Sequence, residues 1–150
     1  MKGILPLVFL ACFPNVANAA DSVLEPDCPI PAGLQSTQSL ADLPAPVIAA
    51  LREHVPNLAP ADAPFNGGDA LLLGQTQLDR RFVSAIHKGT RWAVAYEAAG
   101  RGVHDNVVAL QLSSDMQSAQ VVANTQALGP AICTELLRGI NPDFPVSRYW

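Results

Sequence analysis

In the first third of the chain, apolar residues recur at the spacing of one helix face. Residues 42–56, "DLPAPVIAALREHVP", place apolar side chains on one helix face: Val47, Ile48, Leu51 and Val55. Asp42 is a candidate N-cap, Pro44 suits the first turn, and Pro56 ends the pattern. The pattern therefore predicts an N-terminal helix, which follows an irregular tail over residues 21–43.

A second helical pattern lies near the C-terminus, in residues 128–142, "LGPAICTELLRGINP". Its apolar stripe is formed by four residues: Ile132, Leu136, Leu137 and Ile140. Pro130 suits the first helical position, and Gly139 is placed to end the helix. We expect this helix to close the fold.

Strand periodicity fills the region between the two helices. Residues 80–100, "RRFVSAIHKGTRWAVAYEAAG", predict two strands joined by a two-residue turn at Lys88-Gly89. Residues 103–113 and 119–126 predict two further strands, and "DALLLGQTQ", residues 69–77, predicts a short strand before the hairpin. The expected fold class is α+β: an N-terminal helix, an antiparallel meander of four to five strands, and a C-terminal helix.

Both faces of the central hairpin are apolar. One face is predicted to carry Val83, Ala85, Trp92 and Val94, and the other Phe82, Ile86, Ala93 and Ala95. A face in contact with water would carry more polar residues. We therefore expect the sheet to be covered on both sides or to curl into a partial barrel, and the alanines of the second face favour close approach of a helix.

The N-terminus has the pattern of a secretory signal peptide. Lys2 precedes an apolar run of about ten residues, which is shorter than the ~20 residues of a membrane-spanning helix. Ala17-Asn18-Ala19 supplies the small residues of a cleavage site. We expect residues 1–20 to be removed and residues 21–150 to form one periplasmic or secreted domain without a membrane span. Cys12, in "FLAC", leaves a lipoprotein as the alternative.

Cys28 and Cys133 remain once the signal peptide is removed. In an oxidising compartment such a pair forms one disulfide, which would pin the N-terminal tail onto the C-terminal helix. Closing a loop of roughly 105 residues stabilises the fold by about 4.7 kcal/mol in the chain-entropy model. The alternative is two unpaired buried thiols.

The net charge of the chain and its lack of familiar catalytic motifs argue against several kinds of partner and reaction. Nine basic residues against thirteen acidic ones give a net charge of −4, and the basic residues are scattered. Nucleic acid and anionic lipid are therefore not expected as partners. G-x-S-x-G, H-E-x-x-H and EF-hand patterns are absent from the sequence. We expect no cofactor, no metal and no enzymatic activity.

One polar cluster stands out at residues 96–106, "YEAAGRGVHDN". A four-residue loop, 99–102, would pair Glu97 with His104 on one face and leave Asp105 on the opposite face. A metal site needs three or four ligands that converge on one point. This register therefore favours a cross-strand Glu–His pair or a binding surface, with Arg101 exposed at the loop tip. A one-residue bulge would reverse the assignment.

These expectations describe a small exported binding protein of the bacterial envelope, such as an inhibitor of a cell-wall hydrolase or an immunity protein against a delivered toxin. Its partner would be another envelope protein, contacted by Glu97, Arg101, His104 and Asp105. One alternative is a small-ligand-binding or hydrolase domain with a pocket between sheet and helix, lined by Trp92, Tyr96 and His87. A structural envelope subunit is the other alternative, and homo-oligomers are compatible with the sequence.

Overall fold

A computed structural model of the chain describes residues 28–64, 79–99, 103–127 and 131–143. Several predictions concern residues outside these ranges. They are the signal peptide with Cys12, the strand over residues 69–77, the loop-tip Arg101, and Pro130 at the start of the second helix.

The described residues form a three-residue 3₁₀ helix, Leu40–Asp42, two α-helices and six strands. In chain order the strands and α-helices are β1 (Gln35–Thr37), α1 (Ala45–His54), β2 (Leu58–Ala59), β3 (Arg80–Lys88), β4 (Arg91–Ala98), β5 (His104–Leu112), β6 (Ala119–Ala127) and α2 (Ile132–Ile140).

The strands form one sheet in the order β1-β3-β4-β5-β6. Every neighbouring pair along this path is antiparallel, and β3 to β6 form a meander. The two-residue strand β2 lies parallel to the start of β3, on the edge that β1 also occupies. The predicted α+β fold is therefore confirmed. Among the described strands, β6 does not pair back onto the first edge, so the sheet is open and not closed into a barrel.

Each face of the sheet carries its own hydrophobic core. The α1 face holds Phe82, Ala85, Trp92, Val94, Tyr96, Val108 and Leu110, packed with Val47, Leu51 and Val55 of the α1 segment. The α2 face holds Val83, Ile86, Ala93, Ala95 and Val107, packed with Ile132, Leu136 and Ile140 of α2. The prediction that the sheet is covered on both sides is confirmed.

A β-bulge in β3 corrects part of the predicted face assignment. The pairing of β3 with β4 shifts register between Phe82 and Ser84. Because a bulge adds one residue to a strand, side chains before it change face relative to those after it. Phe82 therefore lies on the α1 face and Val83 on the α2 face, the reverse of the prediction, while the other six residues lie as predicted.

The hairpin between β3 and β4 turns one residue later than predicted. Lys88 pairs with Arg91, so the two turn residues are Gly89 and Thr90. Gly89 has φ +57° and is the first central residue, as a type II′ turn requires. The shift moves the pairing by two residues, which preserves the faces, and His87 lies opposite Trp92 on the α1 face.

Helix α1 starts without the predicted cap. Pro44 occupies the N-cap position, and no side chain caps the helix. The Asp42 carboxylate instead accepts a hydrogen bond from Thr37 Oγ1 at 2.8 Å. The helix ends at His54, two residues before Pro56, as expected. It packs against β5 and β6, so it covers the half of the sheet that ends at β6.

Helix α2 lies very close to the sheet through Gly139. An ideal Cβ on Gly139 would lie 2.9 Å from Ala93 Cβ, and the residue lies inside the helix, which continues to Ile140. The prediction that Gly139 ends the helix is therefore wrong, and glycine is present because a side chain would not fit. The close approach of a helix to the alanine face is confirmed. Arg91 Nε donates a hydrogen bond of 2.8 Å to the Gly139 carbonyl oxygen near the end of α2.

The predicted disulfide between Cys28 and Cys133 is present, with 5.3 Å between the two Cα atoms. Both cysteines are half-buried and pack against the core of the α2 face. The bond therefore ties the N-terminal tail to α2, and the alternative of two unpaired thiols is wrong. A disulfide is compatible with an exported protein. Within the described ranges, no helix combines the length and the hydrophobicity needed to cross a membrane.

Candidate functional site

Charged side chains gather at the end of the sheet where β4 passes into β5, which we call the loop end. Arg80 and Arg81 begin β3, Glu97 lies near the end of β4, and His104 and Asp105 begin β5. Antiparallel pairing brings these three strand ends to the same rim of the sheet. The loop end therefore contains the described part of the predicted polar cluster.

The predicted pairing of Glu97 with His104 is wrong. Ala98 pairs with His104 and Glu97 pairs with Asp105, so five residues, 99–103, connect the strands. One extra loop residue moves every β5 side chain to the other face, because strand side chains alternate. Glu97 and Asp105 consequently share the α2 face, and His104 lies on the α1 face with Ala98.

Arg81 is the partner of Glu97. Its Nε and Nη2 atoms both donate to Glu97 Oε2, at 3.0 and 2.7 Å. The two side chains are only 16% and 12% exposed, so this ion pair is shielded from water more than a typical surface pair. Arg81, Glu97 and Asp105 follow one another across three strands, and we call them the charge row.

The carboxyl group of Asp105 is perturbed by its position in the charge row. Burial raises its pKa, the negative charge of Glu97 raises it further, and the nearby His104 acts in the opposite direction. A carboxylate held next to another one favours a neighbouring positive charge or hydrogen-bond donor. Asp105 is thus the member of the row best suited to meet a cationic or hydrogen-bond-donating group on a partner.

Two further features border the charge row. Asp79 and Arg80 form an ion pair of 3.2 Å whose side chains are 39% and 33% exposed, and Arg80 also donates to the Pro56 carbonyl. Val103 precedes β5 and is 51% exposed, which is unusual for a valine in this fold. The loop end therefore combines fixed charges with an exposed apolar side chain.

The arrangement does not bring the ionisable residues together as a metal site. Across the described ranges, no group of three or more His, Cys, Asp and Glu side chains is placed to hold a metal ion. His87 lies at the Gly89 end of the sheet, and His104 lies at the loop end on the same face. Glu97 is on the other face from both. The sheet therefore separates the Glu97 carboxylate from both imidazoles.

The residues predicted to line a pocket form part of the packed α1 face. Trp92 and Tyr96 are 5% and 7% exposed, and the His87 ring stacks on Trp92 with 4.1 Å between centroids. His87 Nδ1 and Trp92 Nε1 are buried without a hydrogen-bond partner among the described residues, as is Asn124 Oδ1 on the same face. Burial raises the pKa of Tyr96, opposed by Arg80 and Asn124. The α1 face therefore contains three buried polar atoms that have no hydrogen-bond partner among the described residues.

Sequence reasoning missed Arg81 as a member of the cluster. Strand alternation alone places Arg81 on the face opposite Glu97, and only the bulge in β3 brings the two residues together, so the sequence carried no signal for this contact. Arg101, the remaining predicted contact residue, lies outside the described residues. Comparisons of the chain with protein-family models, with curated protein sequences and with solved structures found no match.

Proposed function

We propose that this is a small exported binding protein of the bacterial envelope whose loop end contacts another envelope protein. The observation that carries the proposal is the charge row, in which Arg81, Glu97 and Asp105 lie side by side on three strands. Strands hold these groups in fixed positions, so little conformational entropy is lost when a partner binds.

The composition of the loop end supports a protein partner. Interfaces commonly place an apolar contact among well-positioned polar groups, and buried or half-buried arginine is frequent at their centres. Val103, two residues before Asp105, provides an exposed apolar side chain at the loop end, and Arg81 is held by Glu97. A partner that offers a basic or hydrogen-bond-donating group to Asp105 and an apolar contact to Val103 would fit this surface.

Charge favours a basic partner. The chain carries a net charge of −4, and opposite net charges accelerate association. A basic cell-wall hydrolase or a basic delivered toxin would satisfy this condition, and the protein would then act as its inhibitor or immunity protein. The disulfide is consistent with the exported location that both roles require.

The proposal is tested by capture and inhibition with matched surface variants. The oxidised protein serves as bait in an envelope extract, and captured proteins are quantified by mass spectrometry and then assayed for inhibition. Val103→Arg and Asp105→Asn should each weaken binding at least about tenfold, or 1.4 kcal/mol. Met116→Arg is the matched control, because Met116 is also 51% exposed but lies in the turn after β5, at the opposite end of the sheet. Equal binding by all three variants would exclude the loop end as the contact surface.

The alternative of a small-ligand domain has one observation in its favour. Trp92 Nε1 and His87 Nδ1 are adjacent buried polar atoms without a partner among the described residues, and a polar ligand would satisfy them. Such a ligand would have to displace side chains that now pack on Trp92. Titration of tryptophan fluorescence with a panel of small polar metabolites tests this alternative, and a Trp92→Phe variant identifies the responding residue.

A further inference from the structure

We propose that the outer edge of β6 is a homodimer interface, in which β6 of a second copy of this chain pairs antiparallel with it about a two-fold axis at Thr125. This surface is distinct from the loop-end contact proposed above. The dimer would join the two sheets into one continuous sheet across the axis.

The outer edge of β6, with which no described strand pairs, carries no residue type that discourages pairing. Strand β6 pairs with β5 on one side, and no other strand in the described ranges pairs with its outer side. The opposite edge of the sheet, along β3, is occupied by β1 and β2. Edge strands usually resist pairing through charged residues or proline. The nine residues of β6, "AQVVANTQA", contain neither.

A bulge restricts the part of β6 that can pair. Ala109 pairs with Ala123 while Leu110 pairs with Val121, so Val122 is the extra residue. Bulges increase local twist and interrupt regular pairing. The regular run available to a second strand is therefore residues 123–127.

The sequence of this run is what identifies a second copy as the occupant. Residues 123–127 read Ala-Asn-Thr-Gln-Ala, which is symmetric by residue class about Thr125. In a two-fold antiparallel pair centred there, Thr125 lies opposite Thr125, each Asn124 opposite Gln126, and each Ala123 opposite Ala127. An interface of this symmetry must be self-complementary, and this run satisfies that requirement.

The side-chain pairs across the axis are chemically favourable. Thr–Thr pairs are among the stabilising cross-strand pairs in antiparallel sheets. Asn124 and Gln126 both lie on the α1 face, and Asn124 Oδ1 is buried without a partner among the described residues. The Gln126 amide of the second copy would supply a hydrogen-bonding group beside the Asn124 amide. The run carries no charge, so the net charge of −4 produces no direct repulsion at this contact.

The position of α1 is compatible with this dimer. A two-fold axis perpendicular to the sheet keeps both α1 helices on the same face, and each packs over β5 and β6 of its own copy. With strands 4.7–4.9 Å apart, the two helices would lie about 10 Å from each other, the usual distance between packed helices.

The test uses the oxidised protein as exported, without residues 1–20. Its molecular mass is measured by sedimentation velocity and by light scattering after size exclusion. The wild-type mass should rise from monomer toward dimer over about a hundredfold range of concentration. Thr125→Lys places two like charges opposite each other and should weaken dimerisation at least tenfold. Thr134→Lys, the same substitution at an exposed position of α2, should dimerise like the wild type.

Cysteine cross-linking tests the register separately. Directly opposed residues in an antiparallel pair have Cα atoms about 4.5–5.5 Å apart, within the range for a disulfide. Thr125→Cys should therefore form a covalent dimer while Cys28–Cys133 stays intact, and Gln120→Cys on the same strand should not. A wild type that is monomeric at every concentration overturns the proposal. So does equal dimerisation of both lysine variants, or a dimer that Thr125→Cys fails to cross-link.

Discussion

Replacing Gly139 by alanine tests how closely α2 is seated on the sheet. In an exposed helix this change is stabilising by about 1 kcal/mol, because glycine is the poorer helix former. Gly139 faces the sheet instead, and the added methyl carbon would lie 2.9 Å from Ala93 Cβ and 3.5 Å from Ala109 Cβ. We expect the contact to reverse the sign of the usual effect.

The magnitude follows from the overlap. Two carbon atoms in favourable contact are about 3.5–4.0 Å apart, so α2 must move outward by roughly 0.6–1 Å to accept the methyl group. Overpacking of this kind costs about 1–3 kcal/mol. The same movement lengthens the hydrogen bond from Arg91 to the Gly139 carbonyl. After subtracting the gain of about 1 kcal/mol in helix propensity, we expect Gly139→Ala to lower the free energy of unfolding by about 0–2 kcal/mol, in place of the usual gain.

The assay is equilibrium urea unfolding of the oxidised protein, with the wild type, Gly139→Ala, Ala93→Gly and the double variant in one cycle. Ala93→Gly removes the atom that Gly139→Ala would meet, so the double variant should recover part of the loss. Thr134→Ala, at an exposed position of the same helix, should be neutral or slightly stabilising. A gain in stability for Gly139→Ala comparable to an exposed site would refute the close contact.

The remaining predictions concern the disulfide and the charge row. Replacing Cys28 and Cys133 together by serine should lower the free energy of unfolding by up to about 4.7 kcal/mol, measured by urea unfolding; an unchanged value would mean that the tail is held by other contacts. Glu97→Gln removes the carboxylate that accepts two hydrogen bonds from Arg81 and should destabilise the fold by about 1–3 kcal/mol in thermal or urea unfolding. Burial and Glu97 raise the pKa of Asp105, so the folded state holds that proton more tightly than the unfolded state and stability falls as pH rises through the folded pKa. Asp105→Asn should therefore be more stable than the wild type at neutral pH, and the difference should shrink as pH falls and vanish below about pH 3, where the aspartate is protonated in both states; a constant difference across this range would contradict the assignment.

Much of the fold was predictable because its signals are local. Apolar spacing predicted both helices, and alternation predicted β3 to β6 and six of the eight assigned faces. The disulfide followed from the two cysteines that remain once the predicted signal peptide is set aside. The short strands β1 and β2 were not predicted, because two or three residues carry no periodicity and form strands only against the edge of β3.

The charge row depended on register, which the sequence left open. The Gly89-Thr90 turn lies one residue later than predicted, which moves the strand pairing by two residues and leaves the faces unchanged. The 99–103 loop is one residue longer than predicted, which reverses the faces of His104 and Asp105. The bulge after Phe82 likewise reversed two side chains. Turn lengths and bulges depend on contacts between strands and with the helices.

By itself, therefore, the sequence determined the two α-helices, the four long strands β3 to β6, the pairing of Cys28 with Cys133, and that polar groups gather near residues 96–106. Only the tertiary structure decided that Glu97 meets Arg81 and Asp105, and that Gly139 is needed against Ala93. The physical reason is that periodicity is a property of neighbouring residues, whereas the choice of partner across a sheet changes with every residue added to a loop.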